Sequence, residues 1–434
     1  MTQDAIMHEY NDCLCNPSKE YRLNLFSQLT AALLTALLVA TSAVAAETRV
    51  SLPRTGLVSD DLAVIINDDD PLSQQVGSYY QKARGIPAAN MIHLNFKPGH
   101  SNLTKDEFLQ LKSVIDRVTP DHVQAYAVAW TNPYRVGCMS LTSALAFGYD
   151  ESYCSQKCGP TAASSYFNSL IVNPTIDHKL RPSMMLAGTN FEMVKSLIDR
   201  GVESDHSFPT GRAYLLRTPD RMRSVRSIYF EQTAKELADV FPIEIMEIES
   251  IIDRQDVLFY FTGLVEVPNL KTLGFLPGAL ADHLTSTGGQ LTDSKQMSSL
   301  RWIEAGATAS YGTVVEPCNH PQKFPFPGIA MFHYSAGATA IEAYWKSVAW
   351  PGEGVFIGEP LARPFAPLLR EISPGQYELR IFSPRSGRVR IEQSPSAAGP
   401  FRPIPKQPAI RRGENLLHFK FNEVTDGYLR VRWN

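Results

Sequence analysis

The stretch 62-LAVIINDDDPLSQQVGSYYQKARG-85 decides the fold. Its first five residues are a continuous apolar run, as expected of a parallel strand covered on both faces. Asp70 suits a helix N-cap and Pro71 the first helical position. Leu72, Val76, Tyr79 and Ala83 then recur at helical spacing, and Gly85 closes the helix. The next apolar run, 90-NMIHLNF-96, reads as a second strand. Strand, capped helix and strand together predict a βαβ unit and hence a parallel sheet.

Outward from this unit the alternation continues. Residues 103–116 read as a helix and 123-VQAYAVAW-130 as a strand. A surface excursion punctuated by Cys and Gly covers about 138–160. Residues 183–188 read as a strand followed by a capped helix at 189–201, and 211–216 as an edge strand. A long amphipathic helix covers 219–238 and leads into 243-IEIMEI-248. Two interior strands, 257-VLFYFTG-263 and 273-LGFLPG-278, are expected to end in glycine. Helices at 295–305 and 333–349 flank the strand 307-ATASYGTVV-315, and 355-VFIGEPLARPF-365 closes the domain. The expectation is one doubly wound, mostly parallel α/β sheet. After Pro374 the period changes to two in 376-QYELRIF-382, 387-GRVRIEQ-393, 416-LLHFKF-421 and 427-GYLRVRW-433. These predict a small antiparallel β-sandwich. The expected domains are 47–370 for the α/β part and 371–434 for the sandwich.

The N-terminus suggests the compartment. The stretch 29-LTAALLTALLVATSAVAAE-47 is an apolar core followed by small residues, with Ala43-Val44-Ala45 as a cleavage site. Residues 1–46 therefore read as a signal peptide, starting at Met1 or Met7, and the mature chain as periplasmic or secreted. No stable membrane insertion is expected after cleavage. The net charge is −3, with no acidic or basic block. Nucleic acid is not an expected partner; an unknown extracytoplasmic ligand or protein is. From Glu371 to the end, 11 Lys/Arg face 6 Asp/Glu, a local +5. That excess reads as a solvated β-domain face or as an attraction to an anionic surface.

Cys13 and Cys15 precede the apolar core, which leaves Cys138, Cys154, Cys158 and Cys318 in the exported chain. An even number in an oxidising compartment predicts two disulfides, with three possible pairings. The spacing lacks the C-x₂-C knuckles of structural zinc, and no metal site is expected. There is no G-x-S-x-G, H-E-x-x-H, Walker loop or G-x-G-x-x-G, and no cofactor is expected.

Ligands of parallel sheets collect outside the carboxyl ends of strands, which nominates four places. Asp68 and Asp69, beside the capping Asp70, offer hard oxygens. Arg135, in 131-TNPYRVG-137, offers a two-pronged donor for a carboxylate or phosphate, or pairs with one of those aspartates. In 277-PGALADHLTSTGG-289, read as helical, Asp282 and His283 are adjacent and do not share a face. His283 is a candidate base, and hydroxyls follow at Thr285, Ser286 and Thr287. Finally 316-EPCNHPQK-323 brings Glu316, Cys318, His320 and Lys323 together after a buried strand. Cys318 is either a nucleophile, with His320 or His283 as base and Glu316 as orienter, or an inert disulfide sulfur. Lys323 is a candidate ligand contact.

The stretches 62–87, 278-GALADHLTSTGG-289, 299-SLRWIEAGATASYGTVVEPC-318 and 356-FIGEPLARPF-365 resemble a family of secreted bacterial proteins defined only by sequence and of unknown function. More distantly, the second half resembles the caspase-like fold of gingipain-type cysteine peptidases, which also carry a small β domain. In those, one strand ends in His-Gly and the next at the catalytic Cys. The resemblance implies that 259-FYFTG-263 takes the first position, with Thr262 where histidine should stand. The next strand-end region, taken as 275-FLPGALAD-282, has no cysteine. The later strand corresponds to 306-GATASYGTVV-315 and the Gly-Asp-Pro segment to 358-GEP-360. The resemblance thus implies the scaffold without its catalytic pair, and a binding or structural role. The alternatives are a cysteine hydrolase with a displaced Cys318 site and a metal-dependent hydrolase using Asp68–Asp70 with His283.

Overall fold

Asp70 adopts an extended conformation and its side chain accepts from the Leu72 amide at 2.9 Å, which starts the helix Pro71–Arg84. Gly85 ends that helix at φ 64°, in the left-handed region where glycine carries no side-chain penalty. This computed structural model describes residues 49–433 apart from 53, 384, 397–398, 405–406 and 421–425. The expected signal peptide lies outside the described residues.

Ten strands form the main sheet: β1 Leu62–Asn67, β2 Met91–Leu94, β3 Ala125–Val128, β4 Ser183–Met185, β5 Arg212–Leu216, β6 Ile243–Met246, β7 Val257–Gly263, β8 Phe275–Leu284, β9 Ala309–Thr313 and β10 Gly354–Gly358. Their spatial order is β6-β5-β7-β8-β9-β10-β4-β3-β1-β2. Every pairing is parallel except β9 with β10. The sheet is therefore two parallel halves running in opposite directions, joined at that antiparallel pair. One consequence governs function: the carboxyl ends of β1–β4 and those of β5–β9 lie on opposite edges of the sheet.

The central strands are buried along their whole length, β1, β7, β9 and β10 without exception. Apolar clusters fill both faces. One holds Val64, Ile66, Phe259, Tyr344 and Trp345. The other face holds Ile65, Val128, Ile303 and Val355, with a further cluster around Tyr260 and Trp302. Several elements differ from expectation. The long helix at 219–238 is a 3-10 turn, Val225–Tyr229, followed by the helix Phe230–Leu237. The helix at 333–349 is two, Pro327–Ser335 and Ala340–Ser347.

After Pro367 two small sheets face each other. One contains Leu368–Ser373, Gln376–Ser383 and Gly413–Lys420. The other contains Asp426–Trp433, Gly387–Ser394 and Arg402–Pro403. Arg49–Ser51 adds to its edge, parallel to Asp426–Trp433. Leu379, Val389, Ile391, Leu417 and Leu429 form the core between the two sheets. Phe382 packs on Phe241 and Phe365 of the α/β layer, and Glu47–Asn434 form a single compact unit.

Candidate functional site

β8 runs to Leu284, six residues beyond the Gly278 at which the sequence suggested it stops. Gly278 has φ 90°, and the ladder to β7 jumps from Val257↔Phe275 to Phe259↔Leu280. Pro277-Gly278 thus marks a bulge rather than an end. The expectation of a helix over 277–289 is corrected accordingly. In a strand, Asp282 and His283 point to opposite faces of the sheet. The strand end moves to 284-LTST-287, where Gly263 of β7 pairs with Leu284.

Beyond these ends lies a cleft of about 340 Å³, lined by Cys158, Met222, Arg223, Leu284, Thr285, Ser286, Glu316, Pro317, Cys318 and Asn319. Its far wall is held by a disulfide between Cys158 and Cys318, S–S 2.06 Å. The thiolate considered for Cys318 does not exist in this state, because the sulfur is already bonded. Cys318 has φ 51°, and its amide donates to Glu316 Oε1 at 2.8 Å, so that carboxylate shapes the turn. The second disulfide joins Cys138 to Cys154.

On the near wall Arg223 Nε donates to Thr285 Oγ1 at 3.0 Å, and Thr285 donates to Gln296 Oε1 at 2.7 Å. Asp220 accepts from Arg223 Nη1 at 2.8 Å. Two glycines let the loop after β8 lie directly on β9. A Cβ on Gly312 would stand 2.5 Å from the Gly289 nitrogen, and one on Gly289 would stand 2.3 Å from the Gly312 oxygen. Gly289 also donates to Thr313 O at 2.9 Å.

The other nominated residues are engaged elsewhere. His320 Nε2 donates to the Cys158 carbonyl at 2.8 Å, next to the Trp350 ring. Lys323 is completely buried, with Nζ 2.8 Å from Glu353 Oε2 and bonded to the Ser155 hydroxyl. That burial corrects the expectation that Lys323 contacts ligand. His283 is 1 % exposed. Trp302 Nε1 donates to its Nδ1 at 2.9 Å, and its Nε2–H donates to Met297 O at 3.1 Å. Both ring nitrogens are occupied, and burial pulls the ring down to about 3. This corrects the expectation of a base. On the opposite face, Asp282 pairs with the buried Arg226 at 2.5 Å. Burial raises the Asp282 carboxyl to about 6 against the pull of that guanidinium. Arg226 also donates to Thr262 O at 2.7 Å and Asp282 O at 3.2 Å, clasping the ends of β7 and β8.

Asp68 and Asp69 follow β1, which ends on the opposite edge of the sheet from this cleft, and Arg135 is not among the residues lining it. Asp68 Oδ1 meets His93 Nδ1 at 2.8 Å, and Asp69 Oδ1 accepts from Asn95 at 3.0 Å. Arg135 forms no ion pair with either, among the described residues. It belongs to a small three-stranded sheet with Asn102–Leu103 and Met139–Ser140. Among the described residues no group of three or more His, Cys, Asp or Glu is placed to hold a metal ion. The ligands of an Asp68–Asp70 and His283 metal centre are not brought together: Asp68–Asp70 and the end of β8 lie on opposite edges of the sheet, and both His283 nitrogens are already bonded. No helix among the described residues is long and apolar enough to cross a membrane.

Sequence reasoning missed Arg223, Thr285 in its strand-end position, and Arg226. The hydroxyl run at 285–287 was a visible signal. Arg226 gave none, because its partner lies 56 positions away. Among the described residues lining the cleft there is no free thiol and no histidine. The cleft offers a guanidinium, hydroxyls and a carboxylate, which suit holding a ligand by hydrogen bonds.

No protein-family model matches the chain, and no curated protein matches it. Among solved structures, a chain described as "Structure of Protease" aligns at 9 % identity and TM-score 0.38, covering 87 % of this chain and 98 % of that one.

Proposed function

We propose that this chain is an exported, periplasmic or secreted protein that binds an extracytoplasmic ligand or protein at the cleft beyond β7, β8 and β9. In this reading the scaffold is of the gingipain type, caspase-like in its second half, and lacks the catalytic pair. One observation carries the reading. At the ends of two adjacent strands, where a gingipain-type enzyme would present histidine and cysteine, stand Thr262 and 284-LTST-287, and the neighbouring sulfur of Cys318 is tied to Cys158. Cysteine catalysis needs a free thiolate beside a histidine, and among the described residues lining this cleft there is neither. Arg223, Ser286 and Glu316 are the residues assigned to ligand contact.

The experiment screens the protein against peptides and small carboxylates by thermal shift, and in parallel against peptide and ester substrates for turnover. Expected is a ligand whose stabilisation is lost in Arg223→Ala, with no turnover. Substrate hydrolysis abolished by Cys318→Ala would overturn the reading in favour of a displaced cysteine hydrolase.

A further inference from the structure

On the outer face of the C-terminal sheet the described side chains include four arginines and the carboxylate of Glu392. Along Gly387–Ser394, Val389 and Ile391 point into the sandwich core, so Arg388, Arg390 and Glu392 point outward. On the neighbouring antiparallel strand Leu429 and Val431 point inward, and Arg430 and Arg432 outward. The register sets Arg390 directly opposite Arg432, and Glu392 opposite Arg430. Arg430 holds Glu392 through Nε at 2.9 Å and Nη2 at 2.6 Å, while Arg432 Nε reaches the same carboxylate at 3.7 Å. The three neighbouring guanidiniums keep this carboxyl below its usual range, with the Arg430 hydrogen bond the largest cause. Arg388 and Arg390 are exposed and have no ion pair among the described residues.

Like charges directly opposite on antiparallel strands destabilise the sheet. Arg390 facing Arg432 is such a pair, and one shared carboxylate does not neutralise four guanidiniums. The chain as a whole is net −3, so this face opposes the charge of its own protein. Arg430 is turned to Glu392 and stacks on the Phe401 ring, 4.1 Å from its centroid, which leaves Arg388, Arg390 and Arg432 as the exposed guanidiniums. Neighbouring side chains on a sheet face sit about 5 Å apart across strands and about 7 Å apart along them. A row of exposed guanidiniums at that spacing, each able to grip phosphate through two N–H groups, matches a surface of phosphates.

We propose that the outward face formed by Arg388, Arg390, Arg430 and Arg432 docks the protein on the phosphate headgroups of an anionic lipid surface. Attraction to such a surface amounts to about a fivefold change in partitioning per arginine and fades with added salt.

The test is co-sedimentation of the protein with vesicles of equal parts phosphatidylglycerol and phosphatidylcholine, against vesicles of phosphatidylcholine alone. Every variant keeps the same N-terminal apolar stretch, so differences between variants report the arginine face. Expected is salt-reversible binding to the anionic vesicles only, reduced about 100-fold in Arg388→Gln/Arg390→Gln/Arg432→Gln. Glu392→Gln, which removes the carboxylate that Arg430 and Arg432 share, is expected to bind more tightly, and circular dichroism of each variant controls for folding. A triple variant that binds the anionic vesicles like the parent overturns the proposal. So does binding of soluble polyphosphate or an anionic polysaccharide through these arginines without binding to vesicles, which would make the partner a soluble polyanion.

Discussion

The indole of Trp302 donates its Nε1 proton to Nδ1 of His283 at 2.9 Å, and this single contact dictates the histidine's tautomer. With Nδ1 accepting, the proton sits on Nε2, where Met297 O receives it. Protonating the ring would set an N–H against the Trp302 N–H inside a sealed core.

The sign of the pH dependence follows. His283 has a folded value of about 3 and His333 about 4, both lowered mainly by burial from an ordinary 6.5. The unfolded chain therefore binds more protons below pH 6.5. These histidines favour folding fully above that pH, and their contribution is lost as pH falls toward 3–4. Asp282, raised by burial, acts with the opposite sign between its ordinary value and about 6. Urea midpoints of the parent and of His283→Gln, measured from pH 7 to pH 4, isolate the His283 part. The parent should lose more stability on acidification than the variant.

Arg226 and Asp282 are buried together, with side chains 2 % and 0 % exposed. Removing one partner strands the other charge in the core. Asp282→Asn should cost about 3–5 kcal/mol in denaturant unfolding. The double replacement Arg226→Met/Asp282→Leu should cost markedly less than the sum of the singles. An additive double would contradict a coupled pair.

Gly312 and Gly289 touch backbone to backbone where the cleft loop crosses β9. Gly312→Ala forces that loop outward, with an expected loss of about 1–3 kcal/mol. It should also weaken ligand stabilisation at the cleft, because Thr285 and Ser286 hang from the displaced segment. Thr313 Oγ1, bonded to Thr285 O at 3.2 Å and Ser286 O at 3.1 Å, would lose its partners as well.

Much of this architecture was legible from residues close in sequence. Asp70, Pro71 and Gly85 bracket the first helix as capping chemistry requires, and period-two alternation disclosed both faces of the C-terminal sandwich. What stayed hidden depends on distant partners. The reversal between β9 and β10 leaves no periodic trace, since both strands are buried on both faces, yet it sends Asp68 and Cys318 to opposite edges. Pro277-Gly278 looked like a strand end because a bulge uses the same residues. Asp282 reads as part of a helix, adjacent to His283, and its burial in a strand is hidden because Arg226, which makes that burial tolerable, lies far along the chain. For the cysteines, counting predicted two disulfides but left three pairings; only the fold brings Cys158 to Cys318 and Cys138 to Cys154.

The central claim is that the strand-end cleft holds ligand without a thiolate, and its most direct test is the thiol state of the protein. Alkylation without reduction, digestion and mass mapping should give a cross-linked peptide joining Cys158 to Cys318, with no label on either. Rapid, selective labelling of Cys318 would contradict the account and put a reactive sulfur beside Arg223 and Thr285.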